Sequence, residues 1–269
     1  MNYQIIALDI DGTVRNSKKE ITPETKKVLL ELQEKGVMVV VASGRCTYGV
    51  LPTAQELKLD QYGGYIITYN GCQAIECKTG KIIDNHYLPP YLVGKVSEFS
   101  KSIGGDFLMY YDTYVVSDNI QNPHVQNEAR INALKLKETN DFSPYNEEKL
   151  NECFIAADPE LLKKIIPEAE RLFGDSANIF RSEPHFLSFV PAGTEKGNGL
   201  KAILEYHNIP REASIAFGDA YNDISMIQYA GLGVAMGNAE DPIKEAADFV
   251  TKSCDEDGIA YALHKFLDL

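Results

Sequence analysis

The chain has 269 residues, of which 44% are hydrophobic and 24% charged, so it is neither a disordered nor a fibrous protein. Lys and Arg number 26 against 39 Asp and Glu, and the net charge of −13 disfavours binding to nucleic acid or to an anionic membrane surface. Because no apolar run approaches the roughly 20 residues of a membrane helix and no secretory signal is recognisable, we expect a cytoplasmic protein that binds a small substrate or a protein partner.

The N-terminal part alternates between predicted strands and helices. Ile5–Leu8 is an apolar run that enters a polar turn, which is typical of a buried strand ending at a loop. Thr22 as N-cap, Pro23 at the first helical position and Gly36 as the stop predict a helix. The run Val37–Ala42 is apolar without alternation, which favours a parallel sheet covered by helices on both faces.

A second helix and a hairpin complete this β-α-β-α-β unit. The helix is predicted near Thr47–Leu57 and the third strand at Tyr65–Thr68. Asn70 and Gly71 mark a turn, and strands at Ala74–Glu76 and Lys81–Ile83 are predicted to form the hairpin.

From about Asn85 the segments become shorter, more polar and rich in tyrosine. Strands are predicted at Phe107–Tyr111, Tyr114–Val116 and Phe186–Val190, and helices near Asn122–Leu136 and Pro159–Phe173. We interpret residues 85–190 as an inserted α+β domain between two parts of a core, 1–84 and 191–269. The alternative is one continuous large sheet, since length alone does not separate domains.

The α/β pattern returns after Pro191. The predicted elements are a helix at Lys196–His207, strands at Ser214–Phe217, Leu232–Ala235 and Phe249–Val250, and helices from Asp223 to Ala230, at Ala239–Ala247 and at Asp257–Phe266. The whole pattern predicts an α/β protein whose core is a doubly wound, mainly parallel sheet.

Asp9 and Asp11 lie at the end of the first predicted strand. Because side chains two apart in an extended chain leave on the same face, both are expected outside the carboxyl end of the sheet, where open α/β folds bind ligands. Their mutual repulsion is relieved by a cation or a proton, and Gly12 permits a turn whose N–H groups can face an anion. The pattern also fits the start of a calcium loop with Glu20 at its twelfth position, but a strand rather than a helix precedes it.

A second acidic group follows the strand that ends at Phe217. Asp219, Asn222 and Asp223 open the next predicted helix. Mg²⁺ prefers a few oxygen ligands and completes its shell with water and phosphate, so two acidic groups at two strand ends predict a magnesium site. The alternative for Asp219 and Asp223 is N-capping of the helix.

Groups suited to holding a phosphate lie between the two acidic groups. Ser43, Gly44 and Arg45 follow the second predicted strand, and Lys196 lies at the head of a helix. A hydroxyl, a glycine N–H and an ammonium at such positions can bind the oxygens of a phosphoryl group. Each is common at protein surfaces, but all of these elements in this order are hard to attribute to chance.

Together, these motifs resemble those of the haloacid dehalogenase superfamily of phosphohydrolases. The matching residues are Asp9–Thr13, Ser43, Lys196 and Gly218–Asp223. The size and position of the insert, together with Asn70 and the glycine after it, resemble the Cof-type subfamily, in which an α+β cap closes over the site. The resemblance implies a Rossmann-like core with such a cap.

The resemblance also implies a role for each acidic residue. Asp9 would attack phosphorus and form an aspartyl-phosphate, and Asp11 would act first as general acid and then as general base. Mg²⁺ would be held by the carboxylates of Asp9 and Asp219 and the backbone carbonyl of Asp11, with Asn222 and Asp223 in supporting positions.

Ser43, Gly44 and Lys196 would bind the transferring phosphoryl group, and Arg45 and Asn70 are candidates for substrate contact. The implied activity is hydrolysis of small phosphorylated metabolites such as sugar phosphates. Two alternatives remain open: a phosphomutase or phosphotransferase that delivers the phosphoryl group to a sugar hydroxyl, and a phosphate-responsive binding or regulatory protein.

Overall fold

The computed structural model describes residues 3–267, and the chain divides into two compact units. One unit comprises Met1–Asn85 and Glu195–Leu269, and the other is the continuous segment His86–Thr194. The boundary expected after residue 190 falls inside a strand of the second unit, Phe186–Pro191. Along residues 3–267, no helix combines the length and apolarity that crossing a membrane requires.

The first unit is built on one sheet. Its strands, numbered along the chain, are β1 (Ile5–Asp9), β2 (Met38–Ala42), β3 (Tyr65–Thr68), β4 (Gln73–Glu76), β5 (Ile82–Asn85), β12 (Ser214–Gly218), β13 (Leu232–Ala235) and β14 (Phe249–Val250). They form an 8-stranded sheet in the order β14-β13-β12-β1-β2-β3-β4-β5. The strands from β14 to β3 pair in parallel, and the hairpin strands β4 and β5 pair antiparallel.

Helices cover both faces of this sheet. They are α1 (Pro23–Glu34), α2 (Thr47–Glu56), α3 (Leu59–Tyr62), α7 (Lys196–His207), α8 (Ile224–Tyr229), α9 (Asp241–Glu245) and α10 (Gly258–Phe266). Side chains of α1, α2 and α10 pack with Ile6 and Leu8 on one face, and those of α7 and α8 pack with Ile5 and Ala7 on the other. Burial on both faces is the reason that these strands are apolar without alternation, and the predicted doubly wound fold is confirmed.

Helix α1 shows how local sequence signals fix the elements beside the sheet. The Thr22 side chain accepts a hydrogen bond from the N–H of Thr25 at 3.3 Å, and Pro23 begins the helix. Leu29 and Leu32 are fully buried against the sheet, and each burial stabilises the fold by about 1.5–3 kcal/mol.

The second unit has a sheet of its own. Its strands are β6 (Asp106–Tyr111), β7 (Tyr114–Ser117), β8 (Lys135–Glu138), β9 (Cys153–Ala156), β10 (Ala177–Glu183) and β11 (Phe186–Pro191), in the order β10-β11-β9-β6-β7-β8. Its helices are α4 (Pro90–Ser102), α5 (Pro123–Ile131) and α6 (Pro159–Phe173). Phe107, Met109 and Leu187 of the sheet pack against side chains of α4 and α6 in a separate hydrophobic core.

Two predicted helices are shorter than expected. The helix expected to reach Leu136 ends at Ile131, because the buried side chain of Asn132 donates to the carbonyl of Glu128 at 3.0 Å and Ala133 turns the chain with a φ of 54°. The next residues form β8, which pairs in parallel with β7 and was not predicted, nor were β9 and β10. The helix expected at 239–247 is only Asp241–Glu245.

A carboxyl pair is buried in the second unit. Glu152 is 1% exposed, and its Oε2 has no hydrogen-bond partner within residues 3–267. The neighbouring Glu128 accepts hydrogen bonds from the hydroxyl of Tyr110 and, at 2.6 Å, from the amide of Asn132. Burial and the charge of Glu128 raise the pKa of Glu152 well above its ordinary value.

We expect Glu152→Gln to stabilise the protein, and more so as the pH rises. Because the folded state favours the protonated form of Glu152, the free energy of unfolding falls as the pH rises above the pKa of an unfolded glutamate. The neutral amide of Gln does not ionise and so avoids this decrease. The variant's free energy of unfolding should therefore exceed that of the unaltered protein by about 1–3 kcal/mol at pH 8, and by less at pH 5. Urea unfolding at both pH values measures it.

The matched control is Glu168→Gln. Because the Glu168 side chain is 57% exposed, this substitution should shift the urea midpoint little at either pH. A Glu152→Gln gain that is equal at pH 5 and pH 8 would contradict a buried, protonated Glu152.

Candidate active site

The predicted site residues of the first unit gather at the carboxyl ends of its parallel strands. Asp9 is the last residue of β1, Ser43 follows β2, and Asp219 follows β12. Lys196 is the first residue of α7. Since β12, β1 and β2 are neighbours in the sheet, their ends bring these side chains to one edge.

Lys196 joins two aspartates in the interior. Its Nζ donates at 2.6 Å to Oδ1 of Asp9 and at 2.6 Å to Oδ1 of Asp223. The side chains of Lys196 and Asp223 are both 0% exposed. Burial alone would lower the pKa of Lys196, but the charges of Asp223 and Asp9 outweigh burial and raise it, so the ammonium keeps its proton.

Both carboxylate oxygens of Asp223 are engaged by protein groups. Oδ1 binds Lys196, and Oδ2 accepts the N–H groups of Asp219 and Ala220, each at 3.0 Å. The carboxylate thus binds the backbone of the turn that precedes it in the chain. It makes no side-chain hydrogen bond that caps helix α8. It anchors Lys196 and the Asp219 turn together.

Asp219 is held by two neutral donors. Thr13 Oγ1 donates to its Oδ1 at 2.7 Å, and Asn238 Nδ2 donates to its Oδ2 at 3.2 Å. The N-capping alternative therefore does not describe the contacts of this side chain. Asn238 was not predicted, although it follows β13 and the strand-end rule that found Asp219 also applies to it.

Gly12 is required where the first loop meets Asp219. Its φ is +87°, and a Cβ at this position would lie 2.2 Å from Oδ2 of Asp219. A side chain is excluded by both the backbone conformation and the space, which explains why the first motif carries glycine here.

The carboxylates of Asp9, Asp219 and Asp223 each offer an oxygen within 4.8 Å of the others. Burial, followed by the charge of Asp223, raises the pKa of Asp9 to about 8, although Lys196 opposes the shift. Burial also raises the pKa of Asp219 to about 6. When all three groups are ionised, their negative charge exceeds that of the one ammonium, and such a set of oxygen donors fits a hard divalent cation such as Mg²⁺.

Asp11 lies in a different electrostatic environment. Arg45 donates through Nε at 3.0 Å and Nη2 at 2.7 Å to its Oδ2, and Lys19 Nζ donates to its Oδ1 at 3.0 Å. Burial would raise the pKa of Asp11, but these two cations outweigh burial and lower it. The pairing with Lys19 was not predicted, since nothing in the motif marks a lysine eight residues later.

Asn70 links two of the predicted groups. Its backbone N–H donates to the carbonyl of Ser43 at 3.1 Å, and its Oδ1 accepts from Asn222 Nδ2 at 2.8 Å. A Cβ on Gly44 would lie 3.0 Å from the Asn70 amide, so the loop after β2 packs closely on this side chain. Arg45 and Asn70, both candidates for substrate contact, bind other site residues in this structure.

The turn around Asn70 adopts an uncommon backbone. Tyr69, Asn70 and Gly71 have φ values of 51°, 55° and 101°. A Cβ on Gly71 would lie 2.0 Å from the carbonyl oxygen of Glu195 and 2.9 Å from the nitrogen of Lys196. The turn therefore lies directly against the start of α7, and only glycine fits at its third position.

The chain is similar over almost its whole length to several known proteins. A solved haloacid dehalogenase-like hydrolase from Bacteroides thetaiotaomicron is 42% identical, with a TM-score of 0.91 over 98% of this chain and 100% of that one. A solved HAD subclass IIB sugar phosphatase, BT4131, is 26% identical, with a TM-score of 0.82 over 98% of both chains. The 5-amino-6-(5-phospho-D-ribitylamino)uracil phosphatase YcsE of Bacillus subtilis (strain 168) is 29% identical over 99% of this chain and 97% of its own length.

The family itself follows from a match over almost the whole chain. The model of the haloacid dehalogenase-like hydrolases matches residues 6–263, which cover the second unit, most of the first unit and every predicted motif. The chain is therefore a phosphatase-type hydrolase. It belongs to the haloacid dehalogenase-like hydrolases.

Proposed function

We propose that the protein is a Mg²⁺-dependent phosphatase that hydrolyses small phosphomonoesters, such as sugar phosphates, through an aspartyl-phosphate on Asp9. The observation that carries the proposal is the buried Asp9–Lys196–Asp223 arrangement beside Asp219. The names of two relatives, a sugar phosphatase and a phosphatase of a phosphorylated ribityl compound, support the substrate class. We further propose that the second unit is the cap that selects the substrate.

Asp9 is the nucleophile in this proposal. Its carboxylate attacks phosphorus, a new O–P bond forms, and the bond to the leaving oxygen breaks. Lys196 holds Oδ1 of Asp9 and thereby fixes the orientation of the carboxylate. When bound by Asp9, Asp219 and the carbonyl of Asp11, Mg²⁺ supplies positive charge that offsets the phosphate dianion.

Asp11 is the proposed general acid and base. It protonates the leaving oxygen and then removes a proton from the water that hydrolyses the aspartyl-phosphate, which restores Asp9 and releases phosphate. In the present arrangement Arg45 and Lys19 hold Asp11 as an acceptor, so it must take up a proton before it can donate one. Substrate oxygens that compete for Arg45 would favour that change.

The remaining predicted residues bind or support. Ser43 and the N–H of Gly44 bind phosphoryl oxygens together with Lys196. Asn222 and Asp223 support the metal ligands, Asp223 through the backbone of Asp219. Arg45 and Asn70 stay candidates for substrate contact.

We expect Asp9→Asn to abolish phosphate release, because an amide is a poor nucleophile and cannot form the aspartyl-phosphate. Asp11→Asn removes proton transfer, so turnover should fall by about 10²–10⁴-fold while Mg²⁺ is still bound, since the proposed ligand there is a backbone carbonyl. The measurement is phosphate release from a panel of sugar phosphates, with Mg²⁺ or with EDTA.

Mg²⁺-dependent turnover by purified Asp9→Asn would defeat the proposed mechanism. Isomerised sugar phosphate in place of free phosphate would favour the phosphomutase. If the unaltered protein converts no compound of the panel, the phosphate-responsive binding or regulatory protein would be favoured. Phosphate release that persists in EDTA would contradict the role of Mg²⁺.

We expect Lys196→Met to lower the free energy of unfolding by about 3 kcal/mol, because it leaves two buried carboxylates without their cation. Urea unfolding in EDTA measures the loss without any contribution from a metal. The control is Lys201→Met on the same helix, whose side chain is 53% exposed and whose removal should change stability little. Equal stabilities of the two variants would argue against a charged, buried Lys196.

A further inference from the structure

Asn238 lies just beyond β13 and contacts both acidic loops of the site. Its Nδ2 donates at 2.9 Å to the carbonyl of Gly12 and at 3.2 Å to Oδ2 of Asp219. We propose that Asn238 is a positioning residue that fixes the carboxylate of Asp219 for binding Mg²⁺. The inference rests on the proposed function, because Asp219 is a metal ligand only there.

The orientation of the Asn238 amide is determined by a third contact. Its Oδ1 accepts the backbone N–H of Cys254 at 2.9 Å. A carbonyl oxygen must face that N–H, so the NH₂ group must face Asp219 and Gly12. The backbone N–H of Cys254 therefore fixes the orientation of the amide. The amide in turn orients the carboxylate of Asp219.

The two oxygens of Asp219 are each held by one uncharged donor. Thr13 binds Oδ1 and Asn238 binds Oδ2, and a carboxylate oxygen that accepts one hydrogen bond keeps a second lone pair. A neutral donor orients the carboxylate without cancelling its charge. Asp11, which is held by Arg45 and Lys19, shows the contrasting case in which cations occupy the carboxylate oxygens.

Asn238 also limits the movement of Asp219 relative to the first loop. Its single NH₂ group bridges Asp219 and Gly12, and Gly12 leaves no space for even a methyl group against Asp219. Since the loop with Asp11 and Gly12 directly follows Asp9 at the end of β1, the amide connects the two segments that carry the proposed ligands. Outer contacts of this kind change metal affinity by about 10–100-fold when they are removed.

The test is the dissociation constant of Mg²⁺, measured by titration calorimetry on the full chain without substrate. We expect Asn238→Ala to weaken Mg²⁺ binding by about 10–100-fold. Asn238→Ser should also weaken Mg²⁺ binding, because its short hydroxyl cannot replace all three contacts. This variant provides the test if the alanine variant folds poorly. The control is Asn127→Ala at an exposed position of α5, which should leave the constant unchanged.

A second measurement distinguishes misplacement of the metal ligand Asp219 from a general loss of stability of the fold. Urea midpoints in EDTA should differ little between the control and Asn238→Ser, and raising Mg²⁺ should restore turnover of the variant. If the unaltered protein binds Mg²⁺ and both Asn238 variants bind it equally well, the inference is wrong and the proposed function stands. If the unaltered protein binds no Mg²⁺, the proposed metal site and this inference fail together.

Discussion

The ammonium of Lys196, bound between Asp9 and Asp223, is the interaction on which the rest of the first unit depends. Lys196 lies 187 residues from Asp9 and 27 from Asp223, so the bond brings together β1, α7 and the turn after β12. A charge buried without its partner would cost several kcal/mol. The start of α7 must therefore lie at the carboxyl end of the sheet, and the turn at Tyr69–Gly71 is shaped to fit against it.

Asp9 at the end of β1 and Asp11 in the loop that follows acquire opposite properties from this arrangement. Asp9 shares one buried ammonium with Asp223, and its pKa rises to about 8 because burial and the carboxylate of Asp223 dominate. Asp11 has two cations of its own, Arg45 and Lys19, and its pKa falls. These directions are the reverse of what the proposed roles need, so a bound Mg²⁺ would have to lower the pKa of Asp9, and release of Arg45 would have to raise that of Asp11. As long as no metal ion binds, the raised pKa lets Asp9 take up a proton more readily than Asp11 does.

Much of the fold could be predicted because its signals are local. Apolar runs gave the parallel strands, and caps such as Thr22 gave the helix starts. The strand-end rule then placed Asp9, Ser43 and Asp219 at one edge. Strand β8 was missed because Lys135 and Lys137 lack the apolar pattern of a strand, and the helix before it ends through a side-chain bond of Asn132 that no local pattern shows. The partners Asn238 and Lys19 depend on tertiary placement, which a motif does not encode.

The left-handed turn at Tyr69–Gly71 shows how contacts can maintain an unfavourable backbone at a candidate site. A left-handed conformation costs about 1–2 kcal/mol for a residue with a side chain, and Tyr69 and Asn70 both adopt it. The N–H groups of Tyr69 and Asn70 compensate by donating to the carbonyls of Arg45 and Ser43 at 3.0 and 3.1 Å. Strain that survives only through such contacts is found mainly where a chain must hold functional groups in place. The turn thus joins the loop after β2, which carries the proposed phosphate-binding groups, to Asn222 and to the start of α7.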